Sequence, residues 1–261
     1  MYEFEFIRPK SLAEAVEALT LDEARPMSGG QTLLPSMKSR LAAPSRLVSL
    51  ADLPELRGVT RQPDGAIRIG AATTHAEVAK AVAPLYPALA KLAGGIGDPS
   101  VRNRGTIGGS LANNDPAACY PAGTLGSVAT IHTDRRDIAS DDYFQGLFTT
   151  ALEEGEIVTA ITYQLPLAAN YIKFRQIASG FALVGVFFAR YPDHVRLAVT
   201  GAGENGVFRW TEAEHVLLSG GLNLLEEIGL PQEDMMSDLH GSAEYRRAVV
   251  AEIAQRCVAG A

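Results

Sequence analysis

The chain has 261 residues, 47% of them hydrophobic and 20% charged, a balance that suits a globular protein with about two or three subdomains. Its formal net charge of −7 argues against a nucleic-acid surface, which needs a basic field, while leaving room for a local basic patch. Two cysteines, Cys119 and Cys257, are too few for an iron–sulfur cluster, and five scattered histidines without an H-x-x-x-H pair predict no metal site. The start, Met1 to Phe6, lacks the basic-then-apolar order of a signal peptide, and no run approaches bilayer-spanning length. Membrane insertion is therefore not expected, and the cytoplasm is the expected address.

Alternation at Phe4-Glu5-Phe6 predicts a first strand, closed by Arg8-Pro9. Ser11 with Glu14 three residues on predicts a capping box, and Leu12, Ala15, Val16 and Leu19 recur at helical spacing. A glycine-rich loop follows Pro26, then a helix-compatible stretch over 32–41 and a strand over 46–50. This βαβ-like opening is assigned to a first lobe, residues 1–55. A second lobe, 56–168, is expected to hold a strand at 66–70 after the turn Gln62-Pro63-Asp64-Gly65. A helix capped by Thr74 and another over 87–93 should follow. Residues 94–121, dense in Gly, Asn, Asp and Pro, predict an irregular stretch, with strands near 127–132, 142–148 and 157–165 beyond it. The third lobe, 169–261, should carry an apolar segment at 181–189, strands at 195–200 and 207–210, and helices at 212–218, 222–228 and 243–258.

Two loops carry chemistry. In Ser28-Gly29-Gly30-Gln31-Thr32-Leu33-Leu34-Pro35, adjacent glycines let successive N–H groups converge on an anion, with Gln31 and Thr32 as further donors and a helix starting just beyond. Alone, that loop reads more readily as an ordinary strand-to-helix turn. The second stretch, 98–116, sets Gly105, Gly108 and Gly109 among hydroxylated residues beside Arg102 and Arg104, with Val101, Ile107 and Leu111 as anchors. Donors, hydroxyls and positive charge suit a polyanionic cofactor; a solvated Ω-loop is the plain alternative. A third candidate, Gly201-Ala202-Gly203-Glu204-Asn205-Gly206, fits G-x-G-x-x-G after a strand. No helix opens within it and Glu204 would face the phosphates, so it is read as a hairpin turn. Asp141-Asp142 and Glu153-Glu154 are read as solvated surface and Arg246-Arg247 as a charged helix face. No acid–base catalyst is nominated.

S-G-G-Q-T-L-L-P at 28–35, followed by M-K-S-R-L, resembles the A-G-G-Q-S-L-L-P loop of the FAD-binding medium subunits of molybdopterin hydroxylases. That family includes the medium subunit of aerobic carbon monoxide dehydrogenase and the flavin domain of xanthine dehydrogenase. Residues 98–118 are similar to its second flavin signature, and echoes at 142–148, 155–158, 171–176 and 242–247 extend the resemblance over essentially the whole chain. It implies an α+β architecture: a vanillyl-alcohol-oxidase-type FAD-binding fold of two lobes plus a C-terminal sheet-and-helix domain, with one non-covalent FAD. By position, Pro26, Met27, Ser28, Gly29, Gly30, Gln31, Thr32 and Leu33 would wrap the pyrophosphate and adjoining parts of FAD. Gly105, Thr106, Ile107, Gly108, Gly109 and Ser110 would bind the diphosphate or ribityl region through backbone N–H groups. Ile96 would neighbour the cofactor, Val158 would add backbone contacts, and Arg175 or Lys173 would place a charge near the flavin ring.

One position departs from the pattern. Where the family commonly reads D-P-A-A-D, this chain has Asp115-Pro116-Ala117-Ala118-Cys119. A thiol is a weak acceptor, so the contact of the last aspartate is lost or passes to Asp115 or Asn114, and Cys119 is expected to be a buried small hydrophobe. FAD is expected to be retained. The resemblance further implies an electron-transfer subunit that works beside an iron–sulfur small subunit and a molybdopterin large subunit. A self-sufficient flavin oxidoreductase and a flavin-free scaffold are the other readings.

Overall fold

A computed structural model describes residues 1–225, 227–230 and 232–261. Strands β1 (Glu5–Ile7), β2 (Ala24–Met27) and β3 (Arg46–Ser49) form a parallel sheet in the order β1-β3-β2, linked by helices α1 (Leu12–Ala18) and α2 (Leu33–Lys38). Parallel neighbours require such crossovers. Ser11 caps α1 by accepting the Glu14 N–H at 3.2 Å. The Glu14 carboxylate reaches one residue further back than a capping box requires, to the Lys10 N–H at 2.7 Å.

Beyond β4 (Val59–Arg61), the expected turn reverses the chain into β5 (Ile67–Gly70), with Gly65 at φ +92°. Helix α3 (His75–Val82) opens on a complete capping box between Thr74 and Glu77, and α4 (Pro87–Gly94) opens on proline. The stretch expected to be irregular is largely helical. It holds α5 (Pro99–Arg102), α6 (Ile107–Asn113) and the start of α7 (Cys119–Gly126). Asp98 caps α5 by accepting the Val101 N–H, Thr106 caps α6, and Asn114 ends α6 in the left-handed region at φ 42°. The glycines survive inside α6 because it packs so closely that a Cβ on Gly108 would lie 2.5 Å from the Ala71 Cβ. Tertiary contact overrides propensity there. All of α7 is buried, so it shows no polar face to betray a helix.

Strands β6 (Thr130–Thr133) and β7 (Asp137–Ala139) follow. Residues 142–148 do not form the single strand expected. They divide between α8 (Ser140–Tyr143), β8 (Phe144–Gly146) and a turn in which Phe148 takes φ 52°, before β9 (Thr149–Thr150). Then β10 (Val158–Tyr163) completes a five-stranded antiparallel sheet, β4-β5-β10-β6-β7.

Strands β11 (Ala168–Arg175), β12 (Ala182–Arg190), β13 (Val195–Gly203) and β14 (Gly206–Arg209) form an antiparallel meander, followed by α9 (Thr211–Leu218) and α10 (Ala243–Ala259). One face of this sheet, with Val184, Val186 and Phe188, packs on Ile253 and Cys257 of α10. Phe187 and Ala189 on the other face join the main core with Leu92 and Tyr120. A strand covered on both faces reads as an unbroken apolar run. The glycine motif at 201–206 is a hairpin, in which Gly203 pairs with Gly206. Of the helix expected at 222–228, a 3-10 turn covers Leu222–Leu224, and Glu226 lies outside the described residues.

Two surface readings need correction. Arg246 is buried, donating to the Leu183 and Gly201 carbonyls and pairing with Asp238 at 2.7 Å. Asp141 is not merely solvated: Arg196 binds both its oxygens, at 2.7 and 2.8 Å, and Arg209 a third time at 3.1 Å. The architecture is α+β, as the sequence led us to expect. No helix among the described residues is long and apolar enough to cross a membrane.

Candidate cofactor site

Strand β2 delivers the chain into residues 28–32, and α2 takes over at Leu33. Gly30 bends this loop at φ +70°. The N–H groups of Gly29, Gly30, Gln31 and Thr32 donate to no acceptor among the described residues. Successive open main-chain donors at a glycine bend suit an anion.

The second loop lies directly against the first. A Cβ on Gly29 would fall 2.2 Å from the Arg104 carbonyl oxygen and 2.7 Å from the Gly105 Cα. Thr106 Oγ1 donates to Ser28 Oγ at 2.9 Å across 78 positions of sequence. The donors of the second loop, by contrast, are used internally except for the Thr106 N–H, which meets no acceptor among the described residues. Ile107 donates to Thr73 O at 3.2 Å, Gly108 to Ala71 O at 2.9 Å and Ser110 to Thr106 O at 3.0 Å. Gly109 donates to Thr106 Oγ1 at 3.2 Å. What this loop offers is therefore a small, approachable surface. Gly108 and Gly109 line a cleft with Pro26, Ser28 and Val158, and Leu50, Leu56 and Ile157 supply its apolar wall.

Two residues that sequence reasoning passed over support this cleft. His75 sits under Gly105: its N–H donates to Gly105 O at 2.9 Å, and a Cβ on residue 105 would lie 2.6 Å from its Nε2. Burial, then the charge of Arg102, push its pKa down to about 4, so the imidazole is neutral. Its place just after the Thr74 cap is the one hint the sequence offers. Glu156 also lines the cleft, with its carboxylate fully buried and held by Arg136 through two bonds of 3.1 Å and by Thr133 Oγ1 at 2.7 Å. Burial works to raise its pKa, but these donors and the Glu153 N–H outweigh it and hold the carboxyl down to about 2.

The remaining nominated residues fall into separate groups. Ile96 is half-buried on a turn after α4, where Lys173 Nζ donates to Gly95 O at 2.7 Å. Arg175 is exposed, with its Nη2 3.7 Å from a Cβ built on Gly95. Asn114, at the far end of α6, is buried and donates to the Gly146 and Thr149 carbonyls at 2.8 Å each. Asp115 accepts the Ala117 N–H at 2.8 Å and lines a second hollow with Gln176, Phe181 and Arg246. Cys119 is buried in the main core and lines neither hollow, and Cys257 is buried against α10's sheet. Open N–H groups, glycines closed to any Cβ and an adjoining apolar cleft together fit a cofactor with a diphosphate and flat ring systems.

A family profile described as the FAD binding domain in molybdopterin dehydrogenase matches residues 2–167. The nicotine 6-hydroxylase medium subunit of Paenarthrobacter nicotinovorans is 34% identical over 272 residues, spanning 97% of this chain and 95% of the relative. The carbon monoxide dehydrogenase medium chain of Afipia carboxidovorans is also 34% identical, over 98% and 95% respectively. Among solved structures, quinoline 2-oxidoreductase from Pseudomonas putida 86 superposes with a TM-score of 0.90 at 29% identity, covering 100% of this chain and 97% of that one.

Proposed function

Because the chain belongs to the FAD-binding medium subunits of the molybdopterin dehydrogenases, we propose that it is the electron-transfer subunit of a molybdenum hydroxylase complex. In this reading an iron–sulfur small subunit would deliver electrons to this chain, and the FAD held here would supply the redox chemistry for handing them to an external acceptor. Substrate is oxidised elsewhere, on a molybdopterin large subunit, and the complex works in the cytoplasm.

The interlocked glycine loops carry the reading, because the open N–H groups at 29–32 are set against a second loop in which Gly105, Gly108 and Gly109 carry no side chain. When bound, FAD supplies the redox chemistry, and the chain holds and orients it. Residues 26–33 would hold the diphosphate. Gly105 to Ser110 would shape the facing wall through their small surface, and Val158 would close the cleft beside them. Ile96 and Arg175 would stand near the flavin ring, with Asp115 as the acceptor that Cys119 does not provide. The three larger sheets support lobes at 1–55, 56–168 and 169–261.

The test begins with absorbance. The full chain, loaded with FAD and gel-filtered, should keep the visible bands of bound oxidised flavin. It should also co-purify with iron–sulfur and molybdopterin subunits when they are expressed together. Protein without flavin would remove the cofactor role, and flavin-loaded chain that oxidises an organic substrate alone would make it a self-sufficient oxidoreductase.

A further inference from the structure

Two cations from different parts of the chain converge on one short turn. Gly95, Ile96 and Gly97 present successive carbonyls: Lys173 Nζ donates to the first at 2.7 Å, and Arg102 Nη1 donates to the other two at 3.0 and 2.8 Å. Lys173 also donates to Gly180 O at 3.1 Å, in the tip of the β11–β12 hairpin. That tip is already closed on itself, by Gln176 N–H to Phe181 O at 2.9 Å and Gly180 N–H to Gln176 O at 2.8 Å. The ammonium thus joins two turns that are each formed locally. Close by, Lys91 Nζ donates to Asn170 Oδ1 at 3.0 Å and pins α4 along β11. Hydrogen bonds from a charged donor are roughly twice as strong as neutral ones, so this convergence is a firm restraint on an otherwise glycine-rich segment.

An ammonium has few donors to share. With two carbonyls already bound, Lys173 is aimed at the backbone, whereas Arg175 makes no ion pair among the described residues and lies exposed beside the same turn. We propose that Lys173 and Arg102 are positioning residues that fix the 95–97 turn, and with it Ile96, against α5, whose following residues Arg104 and Gly105 meet Gly29 of the first loop. The free cation offered to the flavin is then that of Arg175. This rests on the reading of the chain as an FAD-binding subunit.

The full chain is titrated with FAD by flavin fluorescence, visible circular dichroism of the bound flavin is recorded, and melts of flavin-free protein check folding. Lys173→Met and Arg102→Met should each weaken FAD binding about tenfold. Both should alter the dichroism in the same way. The double variant should be about as weak as either single, because both side chains act through one turn. Lys173→Arg should recover most of the affinity, since a guanidinium also reaches two carbonyls. Should Lys173→Met melt too early to titrate, Lys173→Gln is the second variant and must show the same dichroic change.

Losses that multiply in the double variant would overturn the proposal. So would a Lys173→Met chain with wild-type affinity and dichroism, or one in which only the flavin potential moves and Arg102→Met does not follow. A wild-type chain that binds no FAD would instead overturn the functional reading, and this inference with it.

Discussion

Gly29 shows how much of the site depends on one missing methyl. The Arg104 carbonyl 2.2 Å from its would-be Cβ is backbone and cannot swing aside, so Gly29→Ala must push the two loops apart. FAD affinity should fall at least about tenfold in that variant. Gly94→Ala, whose nearest neighbour would be 3.8 Å away, should titrate like wild type. His75 adds a pH dependence of definite sign. Its folded pKa is lowered from 6.5 to about 4, so the neutral ring's contribution is complete above pH 6.5 and is lost as pH falls through 4. Melting midpoints of flavin-free protein should therefore drop between pH 6.5 and 4, and His75→Gln should flatten that stretch. An unchanged slope in the variant would show that His75 is not the titrating group. Glu156 acts in the same direction one window lower, between its usual 4.5 and about 2.

Among the elements, α6 links the two hollows: Gly108 and Gly109 face one, and Asn114 and Asp115 sit where the helix hands over to the other. Thr106 both caps this helix and donates to Ser28. Thr106→Val should cost about 1 kcal/mol in urea melts, the usual loss for a cap, and should also speed FAD release by loosening the first loop. A stability loss without faster release would separate the cap from the site. The helices that could be read in advance, α1 to α4, α9 and α10, carry caps, a leading proline or apolar spacing within their own residues. Those of residues 99–126 could not, because Gly108 is helical on account of Ala71 and α7 on account of a core that surrounds it. The cofactor loops were legible as patterns, as was the hairpin at 201–206. Their mutual contact was not, nor the internal use of the α6 donors, nor the buried roles of His75 and Arg246. Most of these depend on partners far away in the chain, such as Thr73 and Ala71 for Ile107 and Gly108, or Leu183 for Arg246.

Over the whole molecule, the C-terminal sheet is held to the rest by apolar packing on one face and by charge at one edge. Phe187 and Tyr171 belong to the same core as Leu92 and Tyr120. At the edge, Asp141 receives Arg196 and Arg209, and Arg209 also pairs with Glu214. Partial burial works to raise the Asp141 pKa, but the two guanidiniums outweigh it and hold the carboxyl below its usual range. Its side chain is 41% exposed, so solvent screens the cluster and the magnitude is modest. Asp141→Asn should cost about 0.2–1 kcal/mol in urea melts, and the difference should shrink as salt is added. A larger, salt-independent loss would mean that the cluster is sealed from solvent.

The two cysteines offer a practical opening. Cys119 is 5% exposed and Cys257 0%, and burial pushes the Cys257 thiol up to about 12. The folded chain should therefore be inert to thiol reagents as it stands. Ile177→Cys, at a hairpin-tip position that is 99% exposed, would then take a dye alone, giving an optical ruler between that tip and the flavin with both native thiols left in place.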